Sequence, residues 1–317
     1  MKPYLQISSC ISPALALALL TALVLVPNDV RSENEGPLAA QVRQITTFEG
    51  EDREPSISHG GRYLAFLRDE HGNRQNSLIV IDLQTGDERV LTPGVFVTAP
   101  AVWASDDSRM FVSFKEPDGL QRLGWVDLES GALDELEVTG YSGAGDLIMP
   151  ALSQDESTIA FSYRKSNTDD FDLVVAPVSG ASGQVVSPSP YRDLWPRFTA
   201  SGEGLYFFSR RATEGESDDL YFVRLEDQKL TRLTDAPGHD FTPAPSPDSR
   251  QIAFISNRSG QPRLYVYSLL SGQSSSVELG IDRVGHPSWT SDSQRLFVTG
   301  RSDGGSGDVY EVFLKND

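Results

Sequence analysis

The sequence has a single cysteine, Cys10, among its 317 residues. An internal disulfide needs two cysteines and a thiolate metal site needs several, so both are excluded. Basic residues are also scarce, because 27 Lys and Arg stand against 45 Asp and Glu and give a net charge of −18. Such a surface repels phosphate backbones and anionic lipids, which argues against a nucleic-acid-binding or peripheral membrane protein. A hydrophobic content of 38% nevertheless allows a buried core and excludes wholesale disorder.

A long apolar run occurs near the N-terminus, where residues 13–26 read PALALALLTALVLV. The basic Lys2 precedes this run and small residues follow it, as in a secretory signal peptide. We therefore predict a signal peptide at 1–32, a linker at 33–40 and a folded domain at 41–317. An uncleaved membrane anchor is the alternative, because residues 5–26 are 22 uncharged residues in succession. Under both interpretations the folded domain is exported, and we predict a periplasmic location.

No segment after residue 40 has the 3.6-residue apolar period of an amphipathic helix. Instead, a unit recurs whose turn opens with Ser or Thr at 58, 105, 153, 199, 246 and 290. A proline lies three residues upstream at 55, 150, 196, 243 and 287, and is shifted to Pro100 in the second copy. The turn is clearest at residues 246–249, Ser-Pro-Asp-Ser, which suit a type I turn. Four short antiparallel strands per unit of about 46 residues are typical of a propeller blade.

We therefore predict an all-β, six-bladed β-propeller with four antiparallel strands per blade. The last copy ends soon after its third strand and lacks a fourth. The segment VRQITTFEGEDREP (42–55) matches the fourth strand and connection in TRLTDAPGHDFTP (231–243). A strand near residues 42–47 is thus predicted to complete the last blade and close the ring, which removes open sheet edges.

Two copies of the unit carry a family resemblance. The segments PAPSPDSRQIAFISNRSGQPRLYVYSL (243–269) and PSWTSDSQRLFVTGRSDGGSGDVYEV (287–312) resemble the repeat of the TolB-type propeller family. That repeat runs P-x-W-S-P-D-G, an apolar I-A-F run, S-x-R and a tyrosine-containing strand. The resemblance implies a cell-envelope scaffold whose partner is a protein such as a peptidoglycan-associated lipoprotein. The same repeat occurs in oligogalacturonate lyases and in peptidase-associated propellers.

Acidic residues recur where the chain enters the innermost strand of several blades. Asp52, Asp193 and Asp240 lie three residues before the repeat proline, and Asp146 lies four before it. Arg283 takes the corresponding place in the last copy. A ring of carboxylates at one channel opening suits a cation or the basic part of a peptide. The alternative is that each Asp accepts backbone hydrogen bonds within its own turn.

A basic residue recurs after the second strand of every copy. It is a candidate for binding acidic ligands or for pairing with carboxylates of a neighbouring blade. The six residues are Arg68, Lys115, Arg164, Arg210, Arg258 and Arg301.

Histidine and tryptophan supply the remaining candidates. His239 and His286 fall in connections on the same predicted channel face, where with Asp240 they suit a metal or acid–base cluster. The alternative is that both are ordinary loop residues. Trp195 is predicted to lie between blades or to lean into the channel mouth.

The sequence favours a non-enzymatic exported scaffold that binds a protein segment or peptide at the acidic channel face. It contains no G-x-S-x-G nucleophile elbow, and no catalytic residue or metal ligand is predicted. The alternatives are an enzyme acting on acidic oligosaccharides, like an oligogalacturonate lyase, and an accessory propeller of a peptidase. No cofactor is expected, with Ca²⁺ at the channel mouth as the alternative. The predicted ligand-binding residues are Asp52, Asp146, Asp193, Asp240, His239, Arg283, His286 and Trp195.

Overall fold

β-Strands make up almost all of the regular structure. The computed structural model describes residues 37–72, 75–165, 168–213, 216–301 and 305–314. The described residues form 25 strands and one short 3-10 turn at Arg211–Thr213. Within these ranges, no helix is long and apolar enough to cross a membrane. The predicted signal peptide, residues 1–32, lies outside the described residues.

Each repeat folds into an antiparallel meander, which we call a blade and number in chain order. The first strand, β1 (Leu38–Gln44), belongs to the last blade. Blade 1 comprises β2 (Glu51–Ile57), β3 (Tyr63–Asp69), β4 (Ser77–Asp82) and β5 (Glu88–Val90). Blade 2 comprises β6 (Phe96–Val97), β7 (Val102–Trp103), β8 (Arg109–Lys115), β9 (Gln121–Asp127) and β10 (Leu133–Leu136). Blade 3 comprises β11 (Gly145–Leu152), β12 (Thr158–Lys165), β13 (Asp172–Pro177) and β14 (Gln184–Val186).

The second half of the chain repeats the same order. Blade 4 comprises β15 (Asp193–Phe198), β16 (Gly204–Ser209), β17 (Asp219–Arg224) and β18 (Leu230–Arg232). Blade 5 comprises β19 (Asp240–Pro245), β20 (Gln251–Ser256), β21 (Arg263–Ser268) and β22 (Ser274–Glu278). Blade 6 comprises β23 (Arg283–Trp289), β24 (Arg295–Arg301), β25 (Asp308–Leu314) and β1.

Successive blades pack face to face through apolar side chains. Five of the six buried hydrophobic clusters contain residues of two successive blades, and the sixth contains residues of blades 3, 4 and 5. The cluster between blades 6 and 1 contains Ile57 and Phe66 together with Phe297 and Val309, so the last blade packs against the first. The second strand of every blade supplies one fully buried phenylalanine to this packing. These residues are Phe66, Phe111, Phe161, Phe207, Phe254 and Phe297. The predicted all-β propeller fold is confirmed.

The closing strand β1 makes two kinds of pairing. It runs antiparallel to β25, with Ala40 opposite Leu314 and Gln44 opposite Tyr310. Its first residues also run parallel to β22, with Leu38 opposite Val277. Blades 5 and 6 consequently share one eight-stranded sheet, and the six repeats form five hydrogen-bonded sheets.

Closure by an N-terminal strand was predicted near residues 42–47, but β1 spans Leu38–Gln44. The strand starts earlier because β22 offers its first two residues a parallel partner. It therefore includes the end of the segment predicted as a linker, 33–40.

Turns between the first and second strands follow the predicted pattern. The Ser249 N–H donates to the Ser246 carbonyl at 2.9 Å, and the Ser246 hydroxyl accepts from the Gln251 N–H at 3.0 Å. In blade 2 the turn opens at Ala104, whose carbonyl accepts from the Asp107 N–H at 3.0 Å. The predicted opening residue, Ser105, is thus one position too late, because blade 2 has Ala104 where the other blades have Ser or Thr.

The innermost strands contain an irregularity at a fixed position. In five blades the residue before the repeat proline has a φ between 48° and 64°, in the left-handed region. The strand register shifts by one residue at the same point, which defines a β-bulge. In blade 2 the strand breaks instead, with Pro100 between β6 and β7. The five left-handed residues are Glu54, Met149, Trp195, Thr242 and His286.

Ring closure can be tested with matched core substitutions. Phe297 lies between blades 6 and 1, whereas Phe161 lies between blades 2 and 3. We expect Phe297→Ala and Phe161→Ala to lower the free energy of unfolding by similar amounts, about 3–5 kcal/mol, because both side chains are fully buried. Urea denaturation measures both. A much smaller loss for Phe297→Ala would contradict the closed ring.

Candidate functional site

A cavity of about 550 Å³ lies at the centre of the ring, lined by residues of all six innermost strands. It extends to the turns between first and second strands, where His59, Gln154 and Pro247 line it. The residue directly after the repeat proline lines the cavity in every blade. In five blades this residue is small: Ser56, Ala101, Ala151, Ala244 and Ser288. In blade 4 the same position is occupied by Arg197.

Polar and aromatic side chains from blades 1, 4 and 6 meet at the bulges. The His286 ring lies 5.2 Å from the Trp195 ring, measured between centroids. On its other side, His286 Nε2 lies 3.7 Å from Glu54 Oε1. The Arg197 guanidinium lies 5.5 Å from the Trp195 ring centroid. We call Arg53, Glu54, Trp195, Arg197 and His286 the channel cluster.

Burial sets the protonation of this cluster. Desolvation raises the pKa of Glu54 to about 7, against the attraction of Arg53 and Arg197. Desolvation, followed by repulsion from the same two arginines, lowers the pKa of His286 to about 3. The Glu54 and His286 side chains are 14% and 27% exposed, and the residues that follow them in the chain, Pro55 and Pro287, line the cavity. At neutral pH the histidine is uncharged and the two arginines give the cluster a positive charge.

Some polar atoms of the cluster lack partners. Glu54 Oε2 and Arg53 Nε are buried and have no hydrogen-bond partner among the described residues. The terminal nitrogen Nη2 of Arg53 does bond, to Asn76 Oδ1 at 2.5 Å. Buried polar atoms are usually satisfied, so unpaired ones beside a cavity indicate a site that a ligand can complete.

The structure places the four predicted aspartates in ion pairs. Each is paired with an arginine near the end of the second strand of its own blade, and Asp52, Asp193 and Asp240 are fully buried. A ligand must therefore displace an arginine to reach these carboxylates, and their role in ligand binding stays a prediction. The pairs are Asp52–Arg68, Asp146–Arg164, Asp193–Arg211 and Asp240–Arg258.

In blade 4, two successive arginines pair with different aspartates. The expected basic residue, Arg210, donates to Asp218 at 3.0 Å, and the next residue, Arg211, pairs with Asp193. Desolvation still raises the pKa of Asp193 to about 6, although Arg211 opposes it.

The remaining predicted residues lie apart from the channel cluster. His239 Nδ1 lies 2.9 Å from Asp218 Oδ2, whereas His286 contacts Trp195 and Glu54. The two rings therefore contact different residues, and the predicted grouping of His239 with His286 stays a prediction. Arg283 is exposed at the start of β23, opposite Arg301 in the register.

Metal binding has little support in the described part of the chain, where no group of three or more His, Cys, Asp or Glu could hold an ion. Ca²⁺ at the channel mouth stays a prediction.

Six meanders packed in a closed ring around a lined cavity define a β-propeller with a central channel. Residues 138–315, more than half of the chain, match the family model described as TolB beta propeller domain (PD40). The chain therefore belongs to the TolB β-propeller domain family, and the resemblance stated from the repeats is confirmed.

Individual relatives agree with this assignment. A "Protein TolB homolog" of Chlorobium luteolum is 27% identical over 161 residues, which are 48% of this chain and 34% of the relative. The match thus spans about a third of that relative. A putative TolB from Agrobacterium tumefaciens superposes with a TM-score of 0.65 at 15% identity, over 89% of this chain and 100% of that chain.

An enzyme shares the same architecture. An oligogalacturonate lyase from Vibrio parahaemolyticus superposes with a TM-score of 0.57 at 18% identity, over 86% of this chain and 80% of that chain. At these identities the solved structures show the fold alone.

Glu54 should give stability an unusual pH dependence. It binds its proton more tightly in the folded than in the unfolded chain, so the stability it contributes is lost as pH rises from about 4.5 to about 7. His286 has the opposite effect between about 3 and 6.5, because the unfolded chain binds that proton more tightly. We expect the free energy of unfolding of Glu54→Gln to rise relative to that of the wild type as the pH increases from 4.5 to 7. At pH 8 this relative gain should be on the order of 2–3 kcal/mol.

Denaturant unfolding from pH 4.5 to 8.5 measures this difference. Glu156→Gln is the matched control, because hydrogen bonding to Ser105 lowers the pKa of Glu156 and the substitution should lose stability as pH rises. A difference between Glu54→Gln and wild type that stays constant with pH would contradict the burial assigned to Glu54.

A double-mutant cycle tests the buried ion pairs. Arg258→Met leaves Asp240 fully buried without its arginine, and we expect a loss of about 3–5 kcal/mol. Combining Arg258→Met with Asp240→Asn removes the stranded charge and should recover part of the loss. Urea denaturation of the four proteins gives the coupling. Additive losses would show that the two side chains do not interact.

Proposed function

We propose that the chain is a non-enzymatic, periplasmic binding scaffold that takes a protein segment or peptide into its central channel. The cavity of about 550 Å³ carries this proposal. Cavities of this size are usual for ligand sites, and they combine apolar walls with a few placed polar groups. Small side chains from five blades keep the space open, while Trp195 and Arg197 of the channel cluster line it.

The lining suits a peptide. Aromatic surface at Trp195 and Trp289 offers contact for an apolar side chain, and Arg197 offers hydrogen-bond donors. Serine hydroxyls at Ser56 and Ser288 and the turn hydroxyls beyond them suit a polar backbone.

Location and partner class rest on two further arguments. Residues 13–26 are an apolar run of the signal-peptide type, which supports export. The family match and the TolB homologue support a partner in the cell envelope, such as a peptidoglycan-associated lipoprotein.

An enzyme acting on acidic oligosaccharides is the second candidate. One observation favours it: Glu54 and His286 lie 3.7 Å apart, and a carboxyl group with a pKa of about 7 is suited to acid–base catalysis. The structural likeness to an oligogalacturonate lyase is in keeping with it.

Capture from native cells distinguishes the two functions. The tagged full-length chain is compared with a Trp195→Ala and His286→Ala double variant, which loses the aromatic surface of the channel. Leu270→Ala serves as the control, because Leu270 is 96% exposed in the turn between β21 and β22. We expect an envelope protein to co-purify with the wild type and the control, and at least about tenfold less with the double variant.

Two results would count against the scaffold. Equal capture by all three proteins would show that the channel takes no part in the interaction. Cleavage of oligogalacturonate by the wild type, lost in the double variant, would establish the enzyme instead. Folding of each variant is checked by thermal unfolding before capture.

A further inference from the structure

Arg197 departs from the repeat at a position that faces the cavity. The residue after the repeat proline is Ser or Ala in five blades and arginine in blade 4 alone. Small residues there are needed for close packing of the inner strands around an open space. Directly opposite Arg197 in the strand register is Tyr206, where blades 1, 3 and 5 have alanine. Blade 6 also has an aromatic residue at this position, Phe297 opposite Ser288, so the arginine itself distinguishes blade 4.

Arg197 also differs from the other inner arginines in its partners. Its Nη1 donates to the carbonyl oxygens of Pro196 at 2.9 Å and Pro150 at 3.4 Å. No carboxylate of the described residues lies within 4.0 Å of its guanidinium. By contrast, Arg68, Arg211 and Arg258 each contact an aspartate.

Even a half-buried charge without a counter-charge in contact is costly to maintain. Burial lowers the pKa of Arg197 to about 10, and the attraction of Glu54 opposes that effect without a direct contact. Arginine remains charged at physiological pH and presents several donors in a planar fork that matches a carboxylate. Trp195 lies beside the guanidinium and holds one side of it.

We propose that Arg197 is the receptor for a carboxylate group of the ligand that enters the central channel. This inference rests on the proposed function and adds the chemistry of the ligand. The carboxylate can belong to a peptide, at its C-terminus or on an acidic side chain, or to a uronic sugar. Either source would supply the negative charge that Arg197 lacks, in a cavity whose other walls at this level are Ser and Ala.

Paired probes test the carboxylate requirement directly. Calorimetry compares a short peptide with a free C-terminal carboxylate against the same peptide as its amide, and galacturonate against its methyl ester. We expect the full-length wild type to bind at least one acid about tenfold or more tightly than its neutral counterpart, because charge-assisted hydrogen bonds are lost in the neutral form. Which acid binds more tightly identifies the source of the carboxylate.

Substitutions assign the effect to Arg197. Arg197→Met should abolish the preference for the acid, and Arg197→Lys should weaken it, because lysine lacks the planar fork. Arg250→Met is the matched control: it removes the same charge from a side chain that is 82% exposed, and it should keep the preference. Thermal unfolding establishes that the variants fold. If Arg197→Met does not fold, Arg197→Lys and the acid–neutral comparison in the wild type still decide the question.

The outcomes separate this inference from the proposed function. Equal binding of acid and neutral probes, no binding of any probe, or an acid preference retained in Arg197→Met would overturn the carboxylate site. Envelope-protein capture that depends on the channel would then still support the scaffold. Conversely, the double variant could capture the envelope protein as well as the wild type does. Together with a clear acid preference, that result would contradict only the protein-binding function.

Discussion

The chemistry of the channel depends on a bulge that recurs ahead of the inner-strand prolines. Five non-glycine residues there have positive φ, a conformation that costs roughly 1–2 kcal/mol for an L-residue. Their strands belong to sheets that pack on both sides, and this packing holds the backbone in place. Because a bulge redirects its side chain, Glu54, Trp195 and His286 from three separate blades contact one another instead of only their own sheets. The same local distortion thus recurs around the ring and gathers unlike residues at one level.

Charge is distributed very differently at two levels of the inner strands. At the strand entries, buried aspartates are matched by arginines across the hairpin, so the ring of acidic residues is almost neutral in its effect on a ligand. Four residues after Asp193, Arg197 has no carboxylate of the described residues within contact distance. Unpartnered oxygens occur at both levels, on Glu54 as well as on Asp193 and Asp240. An ion pair stabilises the blade only while both partners are present. A charge without a partner in the protein can instead bind a charged group of a ligand. The arginine without a carboxylate partner is why the channel cluster, rather than the acidic ring, is the stronger candidate site.

The fold could be predicted from the sequence because each blade repeats the same turn, proline and apolar strand. Closure by an N-terminal strand was also predictable, although the parallel pairing of Leu38 with Val277 was not, since it joins strands of different blades. Among the site residues, Trp195 and His286 were predicted and do line or adjoin the channel. Sequence reasoning missed Glu54 and Arg197, because both lie within a repeat in which most residues have a structural role. A comparison of the six positions after the proline would have shown Arg197 as the exception.

The ion pairs of the blade entries could not be predicted from chain spacing alone. Asp193 is followed by two arginines in succession, and the structure assigns Arg211 to it and Arg210 to Asp218. That choice follows from strand register, since Asp193 lies opposite Ser209 and the chain turns immediately afterwards. A propeller built from near-identical units has a nearly symmetric channel, and a symmetric channel cannot orient an asymmetric ligand. Departures from the repeat, such as Arg197 in blade 4 with Tyr206 opposite, are therefore where orientation and specificity arise.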